Sequence, residues 1–145
     1  FVFNPLEAWP GVPQQMHDYT IIDILCRAYY GQLGTKSILR KAIDRLRNTH
    51  GDITTQHFVN SVNNWKIGKS YREAEWLLSA KRCLEIFEHY KFDCLKGIPL
   101  WEILKKYNVV IELDAVVDAD DRSFYVDTIS ALQLIYKRCN NLRKD

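Results

Sequence analysis

The sequence predicts a mainly α-helical, α+β domain, a bundle of about five to six helices with two short strands. Three observations favour this fold class. The chain has 145 residues and is 47% hydrophobic, so it can bury the core of one domain and is not disordered. Apolar residues recur at helical spacing through most of its length. Two β-prone apolar segments lie near the two ends, at residues 1–6 and 108–117.

The first strand is predicted at residues 1–6, where Asn4 and Pro5 stop an apolar triplet. The spacing of apolar residues then predicts helices at about 14–30, 35–50, 54–63, 70–88, 100–106 and 121–142. We expect the helix over 70–88 to be the longest. Ser70 and Glu73 form a capping-box pattern at its start.

The second strand is predicted at residues 108–117, which contain the sequence V-V-I-E-L. Because this run is almost entirely apolar, it is typical of a strand buried on both faces of a parallel sheet. We expect it to pair in parallel with residues 1–6 across a long helical crossover. The chain begins at Phe1 without an initiator Met, and the sheet that would bury the strand is not in it, so we expect a piece of a longer protein.

The cysteine spacing and the hydropathy place few constraints on function. Cys26, Cys83, Cys94 and Cys139 show no C-x-x-C or zinc-type spacing, and we expect free thiols in a reducing compartment. No apolar run approaches the ~20 residues of a membrane helix, which predicts a cytoplasmic protein without a membrane-spanning segment. A net charge of +2 does not by itself indicate a nucleic-acid or membrane partner.

Two patterns could carry phosphate or metal chemistry. Gly68-Lys69-Ser70 matches the tail of a phosphate-binding P-loop, but Asn63 occupies the position of the first glycine, so a helix start is the better interpretation. Glu112 and Asp114 follow an apolar run, as do the carboxylates that hold Mg²⁺ in nucleotide hydrolases. They are therefore candidate metal ligands, with a solvated acidic loop as the alternative.

Basic residues concentrate on the predicted second helix, where one acid, Asp44, accompanies five cations. These candidate nucleic-acid ligands are Lys36, Arg40, Lys41, Arg45 and Arg47. Helical spacing allows Lys36, Arg40 and Arg47 to share one outward stripe, flanked by Lys41 and Arg45, that could neutralise phosphates. A solvated helix face is the alternative. With the following helix, which carries Gln56, Asn60 and Asn63, this segment could form a helix-turn-helix-like pair.

Two stretches together resemble a known family. N-P-L at residues 4–6 ends an apolar segment, and L-W-E-I-L-K-K-Y-N-V-V-I-E-L-D at residues 100–114 joins a short helix to the second strand. This order resembles the middle of the HerA-like P-loop ATPases, the group with archaeal DNA-repair translocases and the ATPases of conjugation and type IV secretion. The resemblance implies one domain over residues 1–145, a fragment of an α/β P-loop ATPase. In it a helical insertion at 14–106 would lie between core strands at 1–6 and 108–117, with a C-terminal helix at 121–142.

The resemblance also implies a function. The whole protein would be a homo-oligomeric motor that uses ATP and Mg²⁺ to move DNA, or a protein of a secretion machinery. The family's Walker A lysine lies upstream of the N-P-L strand, so no catalytic or cofactor-binding residue is carried over and we expect no hydrolysis by this chain alone. By the family pattern Glu112 would be structural. The alternatives are a stand-alone nucleic-acid-binding module, or a protein-interaction module with exposed Trp9 and Trp65.

Overall fold

Helices form all the regular secondary structure of the described part of the protein. The computed structural model describes residues 2–90 and 92–141. Seven helical segments occur there: α1 Gln14–Ala28, α2 Leu33–His50, α3 Thr55–Asn63, α4 Tyr71–Cys83, α5 Ile86–His89, α6 Leu100–Lys106 and α7 Ala119–Cys139. The prediction of a mainly α-helical chain is therefore confirmed.

The prediction of two paired strands is wrong, because the described residues contain no strand and no sheet. The N-terminal segment has a different backbone neighbour, since the amide of Ile98 donates a hydrogen bond of 3.2 Å to the carbonyl of Val2. Gly97 lies against the backbone of Phe3 so closely that a Cβ atom would not fit. The loop before α6 thus occupies the place predicted for residues 108–117. Phe1, the first residue of the predicted strand, lies outside the described residues.

Residues 108–117 instead lie against α7 without a neighbouring strand in the described part of the chain. Val109, Ile111 and Leu113 line a gap of about 210 Å³ that is closed on the other side by Ile129 and its neighbours. Val110, between them, is 88% exposed. The side chains therefore alternate as in an extended segment, but a strand also needs the hydrogen-bonded ladder that no second segment supplies.

The predicted helix over 70–88 is divided into two. Helix α4 ends at Cys83, and the single turn α5 follows after Leu84 and Glu85. The amides of Leu84 and Glu85 bond to carbonyls three residues back, at 3.2 Å each, so the last turn tightens instead of continuing as an α-helix. The prediction that this helix is the longest is wrong, because α4 has 13 residues and α7, the longest helix of the described residues, has 21.

The start of α4 confirms Ser70 as the helix cap, but the predicted capping box is incomplete, because Glu73 bonds to the amide of Gly68 instead of that of Ser70. The side chain of Ser70 accepts a hydrogen bond from the amide of Glu73 at 3.4 Å. The carboxylate of Glu73 reaches back past Ser70 and accepts from the amide of Gly68 at 3.1 Å. The glycine amide that a phosphate-binding loop would use is therefore already bonded.

Helix α7 has the charge distribution that the helix dipole favours. Asp118 caps it by accepting from the amides of Asp120 and Asp121, at 2.8 and 3.1 Å. Lys137 and Arg138 lie in its last turn, as predicted. The predicted end at Leu142, and the basic residues beyond it, lie outside the described residues.

One hydrophobic cluster links the helices. Helix α1 packs against α2 on one side and α7 on another, and α2 also packs against α3 and α4. Phe3 and Phe92 meet edge to face with ring centroids 5.5 Å apart, and Phe92 continues this aromatic contact to Phe87 and Phe124. The N-terminal segment is therefore part of the core and not an extension of it.

The N-P-L residues form a buried polar junction. The side-chain amide of Asn4 donates to the carbonyls of Ile53 and Leu95, at 2.9 and 3.2 Å, and its oxygen accepts from the amide of Leu6 at 2.9 Å. The Nε2 atom of His17 lies 2.7 Å from the carbonyl oxygen of Pro5. This tripeptide therefore joins α1 to two distant loops.

An ion pair between α1 and α2 completes the junction. The guanidinium of Arg47 donates to both carboxylate oxygens of Asp18, at 3.0 and 2.9 Å, in a bidentate contact. It also donates to the carbonyls of Leu6 and Gly51, at 2.6 and 2.8 Å. The Asp18 side chain is 1% exposed, so its charge depends on this partner.

Removing the cation should destabilise the fold strongly. We expect Arg47→Met to lower the free energy of unfolding by about 3–5 kcal/mol, because it leaves the carboxylate of Asp18 buried and unpaired. Lys36→Met is the matched control, since its partner Asp23 is 44% exposed, and it should cost about 0–1 kcal/mol. Urea denaturation measures both values. Equal losses in the two variants would contradict the assigned role of Arg47.

His17 should make stability depend on pH. Its ring is fully buried, and its Nδ1 atom has no hydrogen-bond partner among the described residues. Burial lowers its pKa below the ordinary value of 6.5. The unfolded chain therefore takes up this proton first, so stability should fall as the pH drops below about 6.5. Denaturation midpoints across this range should vary less in His17→Gln. The exposed control His89→Gln should keep the full dependence, and the same flattening in both variants would count against His17.

Candidate functional site

The five basic residues predicted to bind nucleic acid lie on two sides of α2. Lys36, Arg40 and Arg47 share one side of the helix, but this side faces α1, so the prediction that they form an outward stripe is wrong. Lys36 and Arg40 form salt bridges with Asp23 at 3.0 and 3.3 Å, while Arg47 bonds to Asp18. These three cations therefore already have acidic partners on the neighbouring helix.

Lys41 and Arg45 are exposed on the rest of α2. The guanidinium carbon of Arg45 lies 4.3 Å from the ring centroid of Trp65, which follows α3. This cation–π contact orients the side chain and leaves its charge free to meet a second ligand. The pair thus offers an indole ring and a guanidinium side by side.

The loop between α3 and α4 adds three more cations. Lys66, Lys69 and Arg72 are exposed, and residues 64–72 contain no acid. Neither Lys41 nor any of these three forms a salt bridge within the described residues. We call the set of Lys41, Arg45, Lys66, Lys69 and Arg72 the basic edge.

The packing of α4 on α2 shows where the loop between α3 and α4 lies along α2, which carries Lys41. Gly34, at the start of α2, lies directly under the ring of Trp76, and the hydroxyl of Thr35 donates to the carbonyl of Trp76 at 3.3 Å. Farther along α4, Arg82 donates to the carbonyl of Tyr29 at 3.2 Å. Helix α4 therefore runs antiparallel to α2, and its first turn lies toward the middle of α2.

The helix-turn-helix-like interpretation depends on α3. Gln56, Asn60 and Asn63 are exposed on it, and the Gln56 amide donates to the Asn60 side chain at 2.9 Å. Thr54 and His57 fix the start of this helix in a reciprocal capping box, with bonds of 3.2 and 3.1 Å. The polar face is thus rigidly presented but carries no charge.

Glu112 and Asp114, the candidate metal ligands, are both exposed in the segment that lies on α7. Across residues 2–90 and 92–141, no three His, Cys, Asp or Glu side chains are grouped so that they could hold a metal ion. The structure therefore adds no third ligand to this pair, and the metal interpretation remains a prediction.

A cleft that sequence reasoning missed lies where α1, α5 and α7 meet. Asp121 is buried there, and its two oxygens accept from the hydroxyls of Tyr29 and Tyr90 at 2.5 and 3.0 Å. Burial, reinforced by these hydrogen bonds, raises the pKa of both tyrosines. Glu85 and His89 line the same cleft of about 720 Å³. Since the phenols occupy both carboxylate oxygens, the cluster ties three helices together instead of presenting a free base.

The two tryptophans of the protein-interaction alternative differ in exposure. Trp9 is buried and packs against Trp101 and Tyr136, with ring centroids 6.0 and 5.8 Å apart. Trp65 is half-buried under Arg45. Of the two, only Trp65 could meet a partner without unpacking the core.

Comparisons with protein-family models, with curated proteins and with solved structures find no match to this chain. No helix in the described residues combines the length and the apolar character needed to cross a membrane.

Proposed function

We propose that this chain is a non-catalytic helical segment of a HerA-like motor ATPase that couples ATP hydrolysis to translocation of DNA or protein. In this proposal the longer protein binds ATP and Mg²⁺ outside the chain. It works in the cytoplasm as a homo-oligomer, and its partner is DNA or a protein of a secretion machinery.

The observation that carries the proposal is the apolar segment on α7. Val110 and Val117 are 88% and 84% exposed, while Val109 and Ile111 line a gap against α7 that the described residues leave open. Large apolar side chains that stay exposed in this way are what another part of a protein or assembly would cover. A segment embedded in a larger motor would have such a cover.

The N-P-L residues have a structural role, although the described residues do not form the strand that the resemblance places before them. In this chain they form the buried junction that joins α1, α2 and two loops. This motif therefore holds the fold together, because the Asn4 side chain forms hydrogen bonds with three backbone groups at once.

The motor proposal predicts where hydrolysis resides. The reading frame upstream of Phe1 should encode G-x-x-x-x-G-K-[ST] within about 30 residues or somewhat more. The longer product should hydrolyse ATP and lose this activity when that lysine is replaced by Ala, whereas the 145-residue chain should hydrolyse none. A phosphate-release assay measures ATP hydrolysis by the longer product, its Lys→Ala variant and the short chain.

Ser70→Ala is the control for this test, since Ser70 belongs to the other G-K-S sequence of the protein. It removes only a helix cap, so hydrolysis should persist and stability should fall by about 1 kcal/mol. A start codon immediately before Phe1, or hydrolysis by the short chain, would contradict the motor proposal.

A second candidate function is nucleic-acid binding through the basic edge. The stacked pair of Arg45 and Trp65 favours it, because phosphate neutralisation and an available aromatic ring are the two contacts that nucleic-acid interfaces combine. The cations of the basic edge have no acidic partner in the described residues, unlike the three that face α1.

Binding through the basic edge predicts a steep salt dependence. Each phosphate contact contributes about −0.9 to the slope of log Kobs against log salt, so replacing both Lys66 and Lys69 by Gln should flatten the slope by about 2. Fluorescence anisotropy with labelled duplex DNA measures it. Lys36→Gln is the matched control, because Asp23 already pairs with Lys36. No binding at low salt, or an equal effect of the control, would exclude the basic edge.

A further inference from the structure

The segment between α6 and α7 has backbone groups without partners. Helix α6 ends at Lys106, and a turn begins at Leu113, whose carbonyl accepts from the amide of Val116 at 2.9 Å. We call residues 107–113 the extended run. In the described part of the chain, the backbone amides and carbonyls of residues 108–112 form no hydrogen bond. A row of such groups is an edge to which a strand can bind.

The side chains of the extended run have two different faces. Val109, Ile111 and Leu113 line the gap against α7. Val110 is 88% exposed, and Glu112 is also exposed. A strand bound at this edge therefore has to supply apolar side chains toward α7 and, on the outer face, an apolar neighbour for Val110.

A second copy of the extended run supplies these side chains when it is antiparallel and centred on Val110. Residues at equal distances from Val110 would then lie opposite one another. On the face toward α7, Val109 would lie opposite Ile111, and Tyr107 opposite Leu113. On the outer face Val110 would lie opposite its own copy. Apolar cross-strand pairs of this kind stabilise a sheet.

The polar residues of the segment also match in this register. Lys106 would lie opposite Asp114 of the second copy, and the two-fold symmetry would repeat this pair at the other end. Asn108, an amide donor, would lie opposite Glu112. Lys106 and Asp114 are exposed, and neither forms a salt bridge within the described residues. The charges at this edge are therefore complementary between two copies of the chain.

Neighbouring registers that keep the same faces together lose this match. A pairing centred on Ile111 would place Val110 opposite Glu112 and separate the two opposite charges. A pairing centred on Val109 would run into α6, where the backbone is helical. The register centred on Val110 pairs the extended run over its whole length.

We propose that two copies of this chain bind each other through residues 107–113, as antiparallel strands related by a two-fold axis at Val110. Two strands alone are marginally stable in water, but α7 of each copy would support the apolar face. The pairing needs neither ATP nor a longer protein, so it goes beyond the motor proposal. Its failure would leave the expected result of the hydrolysis test unchanged.

Sedimentation equilibrium of the 145-residue chain, from micromolar to millimolar concentration, tests the pairing. We expect a monomer–dimer equilibrium. Val110→Glu should raise the dissociation constant by on the order of tenfold, because it places two carboxylates opposite each other at the axis. Val117→Glu is the matched control, since Val117 is 84% exposed but lies outside the extended run, and it should leave the constant unchanged. A chain that stays monomeric, or an equal effect of both substitutions, overturns the proposal.

Charge exchange tests the register. Lys106→Glu and Asp114→Lys should each weaken self-association by on the order of tenfold, because each sets like charges opposite one another at both ends of the interface. An equal mixture of the two variants should associate about as strongly as the unchanged chain, since both ion pairs form again in the mixed dimer. A mixture that associates no better than either variant alone would exclude this register.

Amide hydrogen exchange locates the contact independently of any substitution. As the concentration rises, about every second amide of residues 108–112 should exchange more slowly, because alternate amides point to the partner strand. Concentration-dependent protection in another part of the chain, without any in the extended run, would show that the copies meet elsewhere and would overturn the proposal.

Discussion

The buried carboxylate of Asp18 is the constraint on which the arrangement of the helices depends. A buried charge needs an opposite charge beside it, and the guanidinium of Arg47 donates to both carboxylate oxygens of Asp18. Arg47 also bonds to the carbonyls of Leu6 and Gly51, so one guanidinium fixes α1, α2 and the N-terminal segment together. Apolar packing tolerates small shifts between helices, whereas these directional bonds do not. We therefore interpret this ion pair as the contact that sets their register.

The same constraint explains how the charges of α2 are distributed. Its side toward α1 meets Asp18 and Asp23, which pair with the three cations there. The excess positive charge remains on the basic edge, in the loop after α3 and in the exposed positions of α2. A net charge of +2 hides this separation, because acids elsewhere in the chain balance the total. A local surface, not the overall composition, therefore carries the argument for a nucleic-acid ligand.

The sequence predicted those features of the fold that depend on residues close together in the chain. Apolar periodicity located the helices, and the capping pattern of Ser70 located the start of α4, because both depend on residues within one or two turns. The break after Cys83 escaped prediction because both parts of the divided helix carry buried apolar residues. Contacts between distant residues left no local signal, as with Arg47 and Asp18 or Arg45 and Trp65. The candidate sites consist mainly of such pairs, so the sequence indicated their residue types but not their grouping.

The mistaken strands show why β-propensity alone is a weak guide. The carbonyl of Val2 is bonded to the amide of Ile98, and Phe3 is packed into the aromatic core, so the N-terminal segment lies beside the loop before α6 and not beside residues 108–117. Those residues keep their alternation against α7, but neither their backbone groups nor Val110 finds a neighbouring strand in the described chain. The helices pack around one core, whereas this segment leaves Val110 and Val117 exposed. The motor proposal relies on this exposed segment and the nucleic-acid proposal on the basic edge. Because these surfaces share no residue, each proposal can fail without the other.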